Sequence, residues 1–267
     1  SLKEGESRLA DLLKAEQIEM SWRTGFALIN HYVANNQWQK AVETGKKYTK
    51  KYPSNYYIGL KYAKALCETG QYQPCISLLS RMQVLPNEGS YAGRAVYREA
   101  NLYRAMEQLS HKNYKQVVKS VETSKEWPEN LGVGKPYDNM IDNRLEDYLE
   151  AKAAAGQGDS RKTSALLAAV ADYTISRSHF ESGNLLSALA LRESGKVQEA
   201  DHMVAAWSTD FPENRVVQWC TAIYRGEKEK AVGMLQSRND QTNTTPWEAS
   251  FRDSNFDLIV RLFSTEQ

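Results

Sequence analysis

The 267-residue chain is 41% hydrophobic and 25% charged, with 15 glycines and 7 prolines, a composition that excludes disordered and fibrous classes and allows a buried core. Its 34 Lys and Arg against 33 Asp and Glu leave a formal charge of +1, so no bulk field favours nucleic acid or an anionic membrane. No window of about 18 apolar residues is present, which argues against membrane insertion.

The first segment, SLKEGESRLADLL, lacks the basic start and long apolar stretch of a secretion signal. The chain opens at Ser1 without a methionine, so the expectation is a piece cut from a longer protein, cytoplasmic or periplasmic, with any targeting segment outside it. Residues 1–21 are expected to form an N-terminal cap, with Ser7–Met20 as its helix. From Trp22 to Arg238 the chain is self-similar. NNQWQKAVETGKKYTKKYPSN and ETGQYQPCISLLSRMQVLPNE align with Trp38 over Tyr72, 34 residues on. Further lines follow around Tyr114, Ser160, Val197 and Lys228. Each reads as a helix, a polar turn often carrying Gly or Asn, an aromatic or long side chain, and a small or apolar residue three positions later. Ala41, Cys75, Val117, Thr163, Ala200 and Ala231 take that last position, where two helices must approach closely. Pro53, Pro86, Pro128 and Pro212 are expected to end the second helices, because proline lacks the backbone donor a helix interior needs. This gives five helix pairs and a sixth, slightly short one. Residues 239–267 complete the chain with a linker, NDQTNTTP at Asn239–Pro246, and a closing amphipathic helix that begins near Phe251 and carries Phe256, Leu258, Ile259 and Leu262. No strand-like alternation competes, and the predicted fold class is all-α, a single domain of stacked antiparallel helix pairs.

Gly70-Gln71-Tyr72 with Cys75, and Gly195-Lys196-Val197 with Ala200 and Pro212, resemble the tetratricopeptide repeat family. That resemblance implies an α-solenoid, a right-handed superhelix of thirteen or fourteen helices whose first helices line a concave groove. The repeats are degenerate. Ser160 and Thr163 occupy key positions of the fourth, and the steps from Tyr72 to Tyr114 and from Tyr114 to Ser160 lengthen to 42 and 46 residues.

The stretch WPENLGVGKPYDNM (127–140) interrupts this pattern. GVGK suggests a phosphate loop, but Glu129 stands where the first Gly belongs, Pro136 replaces the hydroxyl residue, and a helix end rather than a strand precedes it. It reads instead as an extended Gly/Pro crossover at 129–136, with Pro136 in the first turn of the next helix. WPENLGVGKPYD also resembles a motif in the tetratricopeptide part of a family of large bacterial proteins whose N-terminal portion is similar to β-sandwich domains of carbohydrate-active enzymes. This chain would then be the C-terminal helical half; the resemblance implies no reaction for that half. Asp138, Asp142, Glu146 and Glu150 recur at four-residue steps and are expected to form an acidic ridge on one helix. Such like-charge pairs cost a few tenths of a kcal/mol each. With Gly132, Gly134 and Lys135 they make a candidate docking edge; a solvated face edged by Lys135, Arg144 and Lys152 is the alternative.

No catalytic or metal constellation emerges. His31, His111, His179 and His202 are far apart, Cys67, Cys75 and Cys220 read as small buried hydrophobes, no G-x-S-x-G elbow is present, and no cofactor is expected. The repeat register, carried over from the family, places Arg23, Phe26, Asn30, Tyr57, Lys61, Lys64, Tyr103, Tyr148, Lys152 and Arg192 on the groove face. Aromatic and cationic side chains are the usual anchors of interfaces. A carboxylate clamp is disfavoured, because Phe26 and Lys61 stand where the clamp carries Lys and Asn. The expected function is therefore a non-catalytic scaffold for a protein or peptide. The alternatives are an intramolecular platform for the rest of its parent chain and a glycan-binding module.

Overall fold

The computed structural model describes residues 2–86, 91–175, 180–238 and 253–265. The regular structure of the described residues is all helical, without strands. In chain order the α-helices are α1 (Leu2–Ile18), α2 (Trp22–Ala34), α3 (Trp38–Lys51), α4 (Tyr56–Glu68), α5 (Tyr72–Leu79), α6 (Ala92–Ser110), α7 (Tyr114–Ser124), α8 (Arg144–Gly156), α9 (Ser160–Ile175), α10 (Gly183–Glu193), α11 (Val197–Asp210), α12 (Arg215–Tyr224), α13 (Lys228–Arg238) and α14 (Phe256–Thr265). The six positions aligned in the sequence, Trp38, Tyr72, Tyr114, Ser160, Val197 and Lys228, are each the first residue of a helix.

One turn, used six times, explains that regularity. Asn36, Gly70, Lys112, Gly158, Gly195 and Gly226 each have a left-handed backbone, with φ of 54°, 75°, 58°, 78°, 81° and 75°. In each case the next residue's N–H donates back to the carbonyl five residues earlier, from Gln37 to Tyr32 (2.8 Å) through to Glu227 to Ala222 (2.8 Å). This is the Schellman arrangement, which satisfies carbonyls left open at a helix end and reverses the chain in three residues. Ala41, Cys75, Val117, Ala200 and Ala231 are buried; Thr163 is only half-buried. Pro53 and Pro212 follow α3 and α11 within two residues, while Pro86 and Pro128 lie beyond further irregular chain. Asn55 and Asn214 cap α4 and α12, their side chains accepting from Ile58 N–H and from Val216 and Val217 N–H.

The chain divides into two compact units, Ser1–Arg104 with Thr123–Tyr137, and Ala105–Glu122 with Asp138–Gln267. In the first, α1 to α5 pack each on the next, and the first helices α2 and α4 also touch. Tyr48 hydroxyl (2.8 Å) and Lys47 Nζ (3.0 Å) donate to Glu16 of α1. Lys51 and Tyr52 donate to Met20 carbonyl, both at 2.7 Å, so the N-terminal cap is held by side chains of α3 and of Tyr52 just beyond it. In the second unit α8 to α11 pack in sequence, α8 and α12 each contact α10, and α12 contacts α11 and α13. Phe256, Leu258, Ile259 and Leu262 of α14 are buried, with Phe256 edge-on to the buried Trp219 ring at 5.3 Å. The linker expected at Asn239–Pro246, and Phe251, lie outside the described residues, as does His179.

The crossover differs from its reading. α8 begins at Arg144, so Pro136 does not open it; Pro136 precedes a short 3-10 turn at Asp138–Met140. Asp142 accepts from Arg144 N–H at 3.0 Å at the helix start, where the N-cap residue Asn143 makes no side-chain cap bond. Upstream, the stretch is pinned within the first unit. Asn130 donates to Leu79 carbonyl (2.9 Å) and Met82 carbonyl (2.7 Å), and its own carbonyl accepts from Val84 N–H (2.8 Å). Leu131 is fully buried. Gly132 has φ 74°, and a β-carbon there would come within 2.9 Å of Val84 carbonyl oxygen.

Candidate partner-binding site

In the first unit four of the expected groove residues come together. Tyr57, 47% exposed at the start of α4, lies nearly parallel to Trp22 at 6.3 Å and edge-on to Phe26 at 6.3 Å, and stacks on Tyr56 at 4.3 Å. Arg23 sits 4.7 Å over the Trp22 ring and Lys61 6.0 Å from that of Phe26. The cluster arises locally. Trp22 and Phe26 are one helical turn apart on α2, and Tyr57 and Lys61 one turn apart on α4, so the contact of α2 with α4 merges two stripes. Asn30 continues the α2 stripe and is half-buried. The sequence reading missed Trp22 and Tyr56; their signal was the spacing to Phe26 and the Tyr56-Tyr57 doublet.

Lys64 and Tyr103 form a second group around Glu99. Lys64 Nζ lies 2.6 Å from both Glu68 and Glu99 carboxylates. Burial works against its charge, but Glu99 and Glu68 overcome this and hold its pKa above the ordinary lysine value. Tyr103 is buried rather than exposed; burial, then the Glu99 and Glu68 charges, push its pKa well above the usual range. Its ring meets Tyr72 edge-on at 6.1 Å.

The remaining groove residues belong to the second unit. Tyr148 is buried and its hydroxyl donates to Glu193 (2.7 Å). Lys152 Nζ donates to the same carboxylate (2.6 Å) and lies 4.8 Å over the Tyr148 ring. Arg192 is exposed, 4.6 Å over the Tyr224 ring, and donates to Tyr224 carbonyl at 2.8 Å. Tyr103 and Tyr148 thus join helices to one another, their apolar rings covered and their hydroxyls satisfied by carboxylates.

The docking-edge residues do not form a ridge. Asp138 lies in the 3-10 turn and Asp142 precedes α8, so only Glu146 and Glu150 share a helix. Both are buried, at 0% and 8% exposure. Glu150 pairs with Lys162 at 2.8 Å. The four-residue steps crossed a segment that is not helical, which is why the period misled. Lys135 and Asp138 are exposed, and Gly134 has open space around it. Asp142 belongs instead to a polar knot around Arg144, whose side chain is 2% exposed. The guanidinium donates to both Asp142 oxygens (3.0 and 2.8 Å), to Asn184 (2.7 Å) and to Glu181 (2.9 Å), and lies 4.7 Å over the Tyr173 ring. Asn255, next to α14, donates to Asp142 at 3.0 Å. Gly183 leaves the room that the guanidinium fills.

All three cysteines are buried. Among the described residues no three His, Cys, Asp or Glu side chains gather as a metal site, and no helix is long and apolar enough to cross a membrane. Comparison of the chain with family models, curated proteins and solved structures finds no match.

Proposed function

We propose that the chain is a tetratricopeptide-like solenoid that acts as a non-catalytic scaffold, holding an extended peptide or partner protein against the faces of its first helices. The observation that carries this reading is the cluster of Trp22, Arg23, Phe26, Tyr56, Tyr57 and Lys61. It presents aromatic faces and two cations beside an exposed Tyr57, the chemistry of interface anchors. Contacts between α2 and α4, and of α10 with α8 and α12, support the stacking of successive pairs within each unit. The mixture of rings and cations suits a peptide carrying aromatic and acidic side chains. In a peptide array probed with the intact chain, such sequences should be selected, and Arg23→Ala with Tyr57→Ala should weaken their binding about tenfold or more. Equal binding by the double variant would remove this cluster from the site.

A glycan is the second reading, favoured by the near-parallel Trp22 and Tyr57 rings, on which a sugar face can stack. The same pair of proteins on an oligosaccharide array separates the two. For the intramolecular-platform reading, Gly134, Lys135 and Asp138 are the exposed members of the docking edge, while Glu146 and Glu150 are buried.

A further inference from the structure

A different face of the first unit carries a cleft of about 400 Å³, bounded by α3, α4 and the end of α5. Its rim bears Lys46 and Lys50, one turn apart on α3, and Arg81, just beyond α5. None of the three makes an ion pair with a described carboxylate, and no carboxylate lines the cleft. In a chain with nearly equal numbers of acidic and basic residues, three cations without a described carboxylate partner around one hollow are a local excess. The α3 dipole accounts for Lys50 in the last turn, and Arg81 Nε donates to the Ser77 carbonyl at the end of α5 (2.9 Å), which leaves its two terminal nitrogens facing no described carboxylate; Lys46 opposes Lys50 at a spacing where like charges repel. Within the hollow, Leu78 and the edge of the largely buried Met82 supply apolar surface, and Gly59 lets Met82 pack closely against α4. A β-carbon at Gly59 would meet Met82 Cε at 2.5 Å. Tyr62 lines the same wall with its ring across Gly45 and a hydroxyl that meets no described partner; burial raises its pKa.

We propose that this cleft binds a small amphiphilic anion, with a phosphate or carboxylate head held by Lys46, Lys50 and Arg81 and an apolar body resting on Leu78 and Met82. The volume matches that of small-molecule sites, which pair apolar walls with a few converging polar groups. Cations that converge on an anion gain charge-assisted hydrogen bonds and, for Arg81, a bidentate geometry. The apolar floor distinguishes the expected ligand from a bare ion, because only a ligand with an apolar body also removes that surface from water.

Calorimetric titration of the intact chain with 1-naphthyl phosphate and with 1-naphthoate tests this, the two arms separating the head groups. Saturable binding of at least one is expected, weakened about tenfold or more in Lys46→Gln/Lys50→Gln/Arg81→Gln and reduced by added salt. Inorganic phosphate and 1-naphthol should bind far more weakly. The proposal falls if neither amphiphile binds, if the triple variant binds as well as the parent, or if either control binds as tightly as its amphiphile. Circular dichroism checks the variant's fold, and the single exposed Lys46→Gln and Lys50→Gln changes replace it if that fold is lost. The aromatic cluster of α2 and α4 shares no residue with this site, so the two proposals fail independently.

Discussion

At the scale of single residues, the six turns offer a controlled comparison. Gly70, Gly158, Gly195 and Gly226 have left-handed backbones with nothing within 4 Å of where a β-carbon would stand. Any penalty for adding one is therefore conformational rather than steric. Gly195→Ala should destabilise the fold by about 1 kcal/mol, read from urea unfolding. Lys112 already bears that strain at φ 58°. Lys112→Gly should recover up to about 1 kcal/mol, and a loss of stability would show that the Lys112 side chain contributes more than its backbone costs. Gly156 is a contrasting case, because its missing β-carbon is replaced by the ring of Tyr114. Gly156→Ala should cost roughly 1–3 kcal/mol by overpacking, with little of it regained by any change in the turn.

At the scale of elements, the long connection between α7 and α8 is held by two different devices. Asn130 satisfies two carbonyls at the end of α5, so Asn130→Ala should cost about 1–3 kcal/mol, and Asn130→Asp more, since a carboxylate would face two acceptors. Arg144 holds four hydrogen bonds almost out of solvent. Arg144→Met should cost about 3–5 kcal/mol by removing the buried guanidinium that Asp142, Glu181 and Asn184 share. Coupling of Arg144→Met to Asp142→Asn in a double-mutant cycle checks that the two act as one knot. The helix pairs were readable because each is built from neighbours in sequence: the spacing of Trp38, Tyr72, Tyr114, Ser160, Val197 and Lys228 needs no tertiary information. The crossover was not. Whether Asp142 belongs to a ridge or to a buried knot depends on Glu181, Asn184 and Asn255, all remote from it in sequence. The groove list divided for the same reason. Tyr57 and Lys61 stayed with Phe26, whereas Tyr148, although α8 and α10 meet as α2 and α4 do, turned its hydroxyl to Glu193, 45 residues on, which no periodicity marks.

At the scale of the whole molecule, the tyrosines set the response to alkali. Burial, reinforced by Glu16, Glu126, Glu99 and Asp201 respectively, raises the pKa of Tyr48, Tyr97, Tyr103 and Tyr224, the last to about 12. In the unfolded chain these phenols lose their protons near pH ~10. Above that pH the unfolded state binds fewer protons than the folded one, so stability falls as pH rises; below it both states are protonated and these groups contribute no slope. Lys64, also raised, acts in the same direction. Urea midpoints should therefore hold steady from pH 7 to about 9 and decline beyond it, with a slope reduced in Tyr103→Phe. A flat profile to pH 11 would mean that the tyrosines titrate normally in the fold.

The six three-residue reversals have a practical meaning for anyone who would alter this chain. At each of them the central residue is exposed, and the bonds that close the turn run back into the preceding helix rather than across to distant parts. They are seams. A flexible tag spliced in after Gly158 or Gly195 would lengthen a connection without withdrawing a side chain from either core, at an entropic cost that grows only slowly with insert length.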